Sequence, residues 1–383
     1  LKITAREIMS DQGRVTFRAQ LAAPESGTRG TLEGLLTGYG DAFRFDVAVD
    51  AAFAEVATFI DLFPDAPPLA GALTMQGKLQ GDLQSFSLTD AAFELDNRPA
   101  YFFEASGAMT SQGNPDPNLS LIASGELDSA KYFLRWLDLD LSPLGGIRAS
   151  IALSGTMANP AIEQLTVVTA SSEGLWIALN GSSGPGSLGS PQLPPDTHFT
   201  VHALAPSLAL LSPWLGQAPT IDPGPWEFAA TLRENDGALH VQNIMGQLGY
   251  SESTQLSVTG NVAQVALTPP EQGTRVAGID LGLAVSSADL ATPGRWFDTD
   301  VPPGFSLQGQ VQVSGTDAEL TLRDGSARIT HELLTIDVNN LNTVLARNVG
   351  YEPQALQAGV LVQASEVAAL GQFTALDLPP LGA

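Results

Sequence analysis

Three things are scarce or missing in this sequence. Cysteine is absent, which excludes disulfides, thiol catalysis and thiolate-held zinc. Basic residues are few: 17 Lys+Arg stand against 41 Asp+Glu, a formal charge of -24. A nucleic-acid ligand needs a basic face, so no nucleic-acid partner is expected. Direct attraction to anionic lipid surfaces is disfavoured on the same ground. No apolar run approaches the roughly 20 residues of a membrane-spanning helix. No basic-then-apolar leader opens the chain, and its first residue is Leu1, not Met. The expectation is a piece of a longer chain, with any anchor or export signal lying outside it.

What is present suits a β protein. Hydrophobic residues make up 44% of the chain and charged residues 15%, with 38 Gly and 26 Pro. That supplies enough apolar material for a core and many punctuation points for short strands.

The prolines reveal a period. Pro68, Pro143, Pro225, Pro303 and Pro380 each precede a strand-like opening, and their spacings are 75, 82, 78 and 77 residues. A short segment carrying an aromatic lies before each anchor, with Trp136, Trp214, Trp296 and Phe373 in the later copies. In the first copy Phe53, Val56, Ile60 and Phe63 have helical spacing. These segments predict one short helix or helical turn per repeat, ended by the proline corner. The approximate repeats are 1–67, 68–142, 143–224, 225–302 and 303–379, one continuous array over 1–383. The closing "LDLPPLGA" at Leu376–Ala383 reads as the opening of a further copy. The Gly/Ser/Pro-rich stretch 180–196 has no period and reads as a flexible loop within the third copy.

Between the anchors the sequence alternates with period two, so each strand has one apolar and one polar face. Leu73, Met75, Leu79 and Leu83 share one side, opposite Thr74, Gln76, Lys78 and Gln80. Phe43, Phe45, Val47 and Val49 repeat the pattern, as do Ile147, Ala149, Ile151 and Leu153. Phe305, Leu307, Val311 and Val313 do the same against Ser306, Gln308, Gln310 and Gln312, and Phe228 and Leu232 belong to the fourth copy. Glycine turns such as "SGT" at Ser154–Thr156 and Ser314–Thr316 suit hairpins. One short helix per repeat is too little to cover so much apolar strand surface. Either facing sheets bury it, or one sheet curls and leaves an apolar trough. Periodicity alone does not separate the two.

The phrases "LDLPPLG", "LSG" after an alternating strand and "ASxEL" before a helical turn resemble the AsmA-like superfamily of Gram-negative envelope proteins, of the AsmA, TamB and YhdP type, from about Phe43 to the end. The resemblance implies a β-taco: an elongated, curled sheet projecting into the periplasm from an N-terminal inner-membrane helix. It also implies a role in moving phospholipid towards the outer membrane. The expected fold is therefore mainly β, an elongated curled antiparallel repeat array with one short helix per repeat of about 75–82 residues. The expected partners are phospholipid acyl chains, membranes through parts outside this piece, and envelope proteins. Leu73, Met75, Leu79, Leu83, Ile147, Ile151, Leu153, Phe228, Leu232, Phe305, Leu307, Val311 and Val313 are the expected groove lining.

Motifs with chemical potential are weak. "GPGSLG" at Gly184–Gly189 matches a dinucleotide fingerprint in letters, but "SPQLPPD" follows and cannot open a helix. His198 and His202 share a strand face without a third ligand nearby. Asp138/Asp140 and Asp298/Asp300 occupy the same corner of their repeats, as Asp65 and Asp377 roughly do, which fits turn chemistry better than acid–base hydrolysis. The tryptophans fit plugs between helical turn and sheet better than a ligand ladder. No catalytic residue, metal or cofactor is expected. The alternatives to lipid carriage are an envelope scaffold or outer-membrane assembly factor working through an exposed sheet edge, and a carbohydrate-active β-solenoid, which would need a single carboxylate cluster.

Overall fold

The computed structural model describes residues 2–11, 13–23, 27–56, 70–129, 144–187, 193–211, 222–235, 237–250, 253–266, 275–291, 301, 303–347 and 351–365. The chain divides into two compact units. Unit 1 comprises Leu1–Ala170, Leu179–Ser190 and Pro194–Thr197; unit 2 comprises Ser171–Ala178, Pro191–Leu193 and His198–Ala383.

Unit 1 is an antiparallel meander. Its strands are β1 (Lys2–Asp11), β2 (Arg14–Ala23), β3 (Thr28–Thr37), β4 (Arg44–Phe53), β5 (Ala72–Asp82), β6 (Ser85–Asn97), β7 (Tyr101–Gln112), β8 (Asn118–Leu127), β9 (Gly146–Thr156) and β10 (Pro160–Ala170). Each pairs with the next, without a crossover. The next strand, β11 (Trp176–Ser183), has residues in each unit. Unit 2 repeats the meander with β12 (His198–Ala205), β13 (Trp226–Asn235), β14 (Ala238–Tyr250), β15 (Thr254–Val265), β16 (Val276–Ser287), β17 (Ser306–Thr316), β18 (Glu319–His331), β19 (Leu334–Arg347) and β20 (Tyr351–Ala364).

The alternating sequence explains the sheets, and the turns explain the register. Asp82 ends β5 because its carboxylate accepts hydrogen bonds from the amides of Gln84 and Ser85 and from the Ser85 hydroxyl, at 2.9, 2.7 and 3.0 Å. An aspartate that caps its own turn stops the strand there. These bonds, Gln84 first, hold the Asp82 carboxyl below its ordinary value.

The alternation slips by one residue in the middle of certain strands. Asp90 in β6, Asn243 in β14, Asp324 in β18 and Asn340 in β19 have φ of 51°, 52°, 53° and 53°. The pairing register shifts beside each of them. These are β-bulges, and Asp and Asn are the side-chain-bearing residues that best tolerate this backbone conformation. A bulge resets which side chains face inward. Phe86 and Leu88 share a face with Ala91, Phe93 and Leu95 only because Asp90 intervenes.

Two expectations need correction. Among the described residues the helix per repeat is not seen. Phe53 closes β4 as strand, and Val56 lies in a turn whose amide donates to the Gly71 carbonyl at 2.8 Å, which ties the end of β4 to the approach to β5. Ile60, Phe63, Trp136, Trp214, Trp296 and Phe373 lie outside the described residues, as do the aspartate pairs Asp138/Asp140 and Asp298/Asp300 with Asp65 and Asp377. The only helical elements wholly among the described residues are 3-10 turns at Gly40–Ala42 and Leu208–Leu211. The stretch 180–196 is not a loop throughout: Asn180–Ser183 continue β11. Its base is tied by the Gly184 amide donating to Pro195 at 2.8 Å and the Gly186 amide donating to Pro160 at 3.2 Å.

Candidate functional site: an apolar trough

Cross-strand partners carry one apolar face through unit 1. Val47, Leu79, Leu88, Met109 and Leu119 form one row, and Met75, Phe93, Ala105 and Ala123 another. Between them run Val49, Gly77, Ala91, Gly107 and Leu121. Most of these side chains are only half-buried, and Phe93 is 38% exposed. The face encloses an apolar cavity of about 350 Å³ bounded by β4 to β8. Small residues make the space. At Gly107 even one added carbon would stand 2.2 Å from the Ser120 carbonyl oxygen, so the strands approach there too closely for any side chain.

One edge of the trough is sealed. Where β4 leads to β5, β6 to β7 and β8 to β9, the residues Val56, Leu73, Leu95, Tyr101 and Leu127 form a buried cluster, with Phe53, Phe103 and Ile147 packed on it. Leu73 and Leu95 are 2% and 1% exposed. The Tyr101 hydroxyl donates to the Ala70 carbonyl at 2.8 Å and accepts from the Ala70 amide at 2.6 Å. A buried phenol thus finds both partners in one peptide segment and holds it against the cluster.

The outer face is polar. Lys78 lies 3.3 Å from Asp46, Gln80 donates to the same carboxylate at 2.8 Å, and Arg148 meets Glu126 at 3.0 Å. These pairs are solvent-exposed and contribute little to stability.

The expected lining residues fall in different places. Met75 and Leu79 line the cavity. Leu73 is buried in the sealed edge and Ile147 packs on it. Ile151 and Leu153 share the apolar face on β9, opposite Ala123 and Leu121. Leu83 is not on the strand face: it sits in the turn that Asp82 caps and is 72% exposed. In unit 2, Phe228 and Leu232 share a face with Ala203, Phe199 and Val241. Leu307 and Val311 lie on β17 opposite Ser287 and Leu283. Val313 is 6% exposed, and Phe305 is 7% exposed with its ring 4.7 Å from that of His331, so both are packed rather than open.

Leu88, Phe93, Met109, Leu119 and Leu121 also line the cavity, and the alternation argument did not name them. The available signal was the slip in apolar period across "TDAAF" at Thr89–Phe93. His198 and His202 are on the outer face; His202 Nε2 lies 2.8 Å from Glu227 Oε1, and its ring meets Trp176 edge-on at 5.1 Å. Among the described residues no group of three or more His, Cys, Asp and Glu is arranged to hold a metal ion, and no helix is long and apolar enough to cross a membrane. The chain matches no family description, no curated protein and no solved structure.

Proposed function

We propose that this chain carries lipid acyl chains in the trough of unit 1, as a periplasmic segment of a bridge that moves phospholipid between inner and outer membranes. The observation that supports this is the apolar face that the described residues leave half-exposed, with its cavity of about 350 Å³. A water-soluble chain does not leave such a surface bare without an occupant. Each methylene withdrawn from water contributes about 0.8 kcal/mol, so six methylenes give about 5 kcal/mol without any polar contact. Carriage of this kind needs no reaction chemistry. In this reading the curled β-taco sheet suggested by the AsmA-like resemblance lets the acyl chain lie inside and the head group stay in solvent. Anchoring to the inner membrane belongs to a segment outside this sequence. Native mass spectrometry of gently extracted protein tests the proposal. Phospholipid adducts are expected, and they disappear with Met75→Asp plus Leu121→Asp. A clean apo mass under every extraction condition ends it.

A second reading has its own support. β20 pairs with β19, and its Leu356, Val360, Leu361 and Val362 are 69%, 61%, 53% and 45% exposed. Among the described residues β20 pairs with β19 alone, and from Gln354 to Ala364 it carries no charge of the kind with which natural edges discourage strand addition. An envelope scaffold or assembly factor would use such an edge to add a client strand. Val360→Lys abolishes client capture in this reading and leaves lipid adducts unchanged.

A further inference from the structure

We infer that the trough of unit 1 is one-sided: the polar head of a bound single-headed amphiphile leaves over the edge formed by the turns after β1, β3, β5, β7 and β9. This rests on the acyl-carrier reading and adds the orientation of the ligand.

Three observations converge. The opposite edge is closed by the buried cluster, whose row Phe53, Leu73, Leu95 and Phe103 contributes nothing to the cavity lining. The cavity begins one row further in, at Met75 and Phe93, and extends to Leu79, Leu88, Met109 and Leu119 on the turn side. At the turn edge itself lies a second apolar cavity of about 430 Å³, lined by Val15, Leu36, Tyr39, Phe43 and Leu83 among others. Tyr39 and Leu83 there are 80% and 72% exposed. Such large exposed side chains over an apolar hollow form a lip across which a hydrocarbon stem stays covered while its head meets water.

Arg14 and Arg44 both lie opposite Thr37 at the turn-side ends of β2 and β4, on the outer face. Asp11 is the register partner of Arg14, and the Arg44 charge acts on the Asp82 carboxylate. Asp82, the register partner of Arg44, has its carboxylate engaged in capping its turn. On the sealed edge Arg98 is paired with Asp96 and Arg148 with Glu126, while Arg29 stands opposite Ala22 and Ala52.

The test uses the full chain and a palmitoyl lysophospholipid carrying a photoreactive diazirine at either the chain tip or the head group, with cross-links mapped by mass spectrometry. The chain-tip probe is expected on Met75, Phe93 or Leu121, and the head probe on residues 38–44 or 82–85. Tyr39→Asp with Leu83→Asp, both at exposed positions, is expected to lower affinity about tenfold. Head-probe labelling of residues 54–56 or 97–101, with chain-tip labelling intact, overturns the orientation and leaves acyl binding standing. Absence of specific chain-tip labelling overturns both.

Discussion

The two units solve the same local problem differently. Both interrupt a strand with a bulge at Asp or Asn, but different residues follow it. In unit 1 Asp90 is followed by Ala91, and the cavity lies over it. In unit 2 Asn243 is followed by Ile244, which is 8% exposed and fills the corresponding space. Asp324 is followed by Gly325, and the Leu341 side chain occupies the room: a carbon added to that glycine would stand 2.8 Å from Leu341 Cβ. Two of the three bulges of unit 2 are also tied. The amides of Asn243 and Asp324 donate to Oδ1 of Asn261 and Asn342, at 2.9 and 3.2 Å, each eighteen residues later in the chain. The position equivalent to those asparagines in unit 1 is Ala108, which has no side-chain acceptor. The same backbone device yields a filled place or an open one according to what stands beside it: Ala91 in unit 1, Ile244 or the cross-strand Leu341 in unit 2.

Substitutions break this comparison most sharply at the filling residue. Ile244→Ala is expected to destabilise unit 2 by about 2–5 kcal/mol, read from urea unfolding. Ala91→Ile, its counterpart, is expected to remove acyl binding with little loss of stability. A destabilisation in the range of an overpacked core, about 1–3 kcal/mol, shows that the space over Ala91 is already taken. Tyr101→Phe removes both hydroxyl bonds of the sealed edge and is expected to cost about 1–3 kcal/mol. Asn261→Ala and Asn342→Ala are expected to cost about 1 kcal/mol each, whereas Ala108→Asn stabilises unit 1 by a similar amount if its bulge accepts the same tie.

The smallest effect is a pH dependence confined to unit 1. Hydrogen bonds from the Arg98 guanidinium, then from its amide, lower the Asp96 carboxyl from 3.8 to about 2. A lowered folded-state value means that this contribution is complete above the ordinary carboxylate value. It fades as the pH falls and is gone below about 2. The pair is reached by solvent and screened, so the contribution is small. Asp96→Asn is expected to flatten the unfolding midpoint between about pH 4 and about pH 2, lowering it slightly at neutral pH and leaving it unchanged below about pH 2; an identical slope in the variant excludes the pair.

The strands, their antiparallel order and their two-faced character were legible in the sequence because successive side chains of an extended chain must point to opposite sides. Met75 and Leu79 were read onto the apolar face for that reason. Leu88 and Phe93 were not, because they stand an odd number of residues apart and strict alternation assigns them to opposite faces. Only a bulge reconciles them. Leu83 was misread for the complementary reason: the alternation continues through it in letters, but Asp82 had already ended the strand by capping the turn. Helical spacing from Phe53 to Val56 misled because Phe53 pairs with Leu73 across the sheet. That long-range contact outweighs a weak local preference.

The amino-acid sequence by itself determined that this chain builds antiparallel sheets with one apolar side, since that follows from the order of side chains along an extended backbone. Only the tertiary structure decided which parts of that side are sealed and which stay open. Closure depends on residues far apart in the chain, Val56 on Leu127 or the Ala70 segment on Tyr101, and on whether a bulge presents an alanine or an isoleucine to the space beside it.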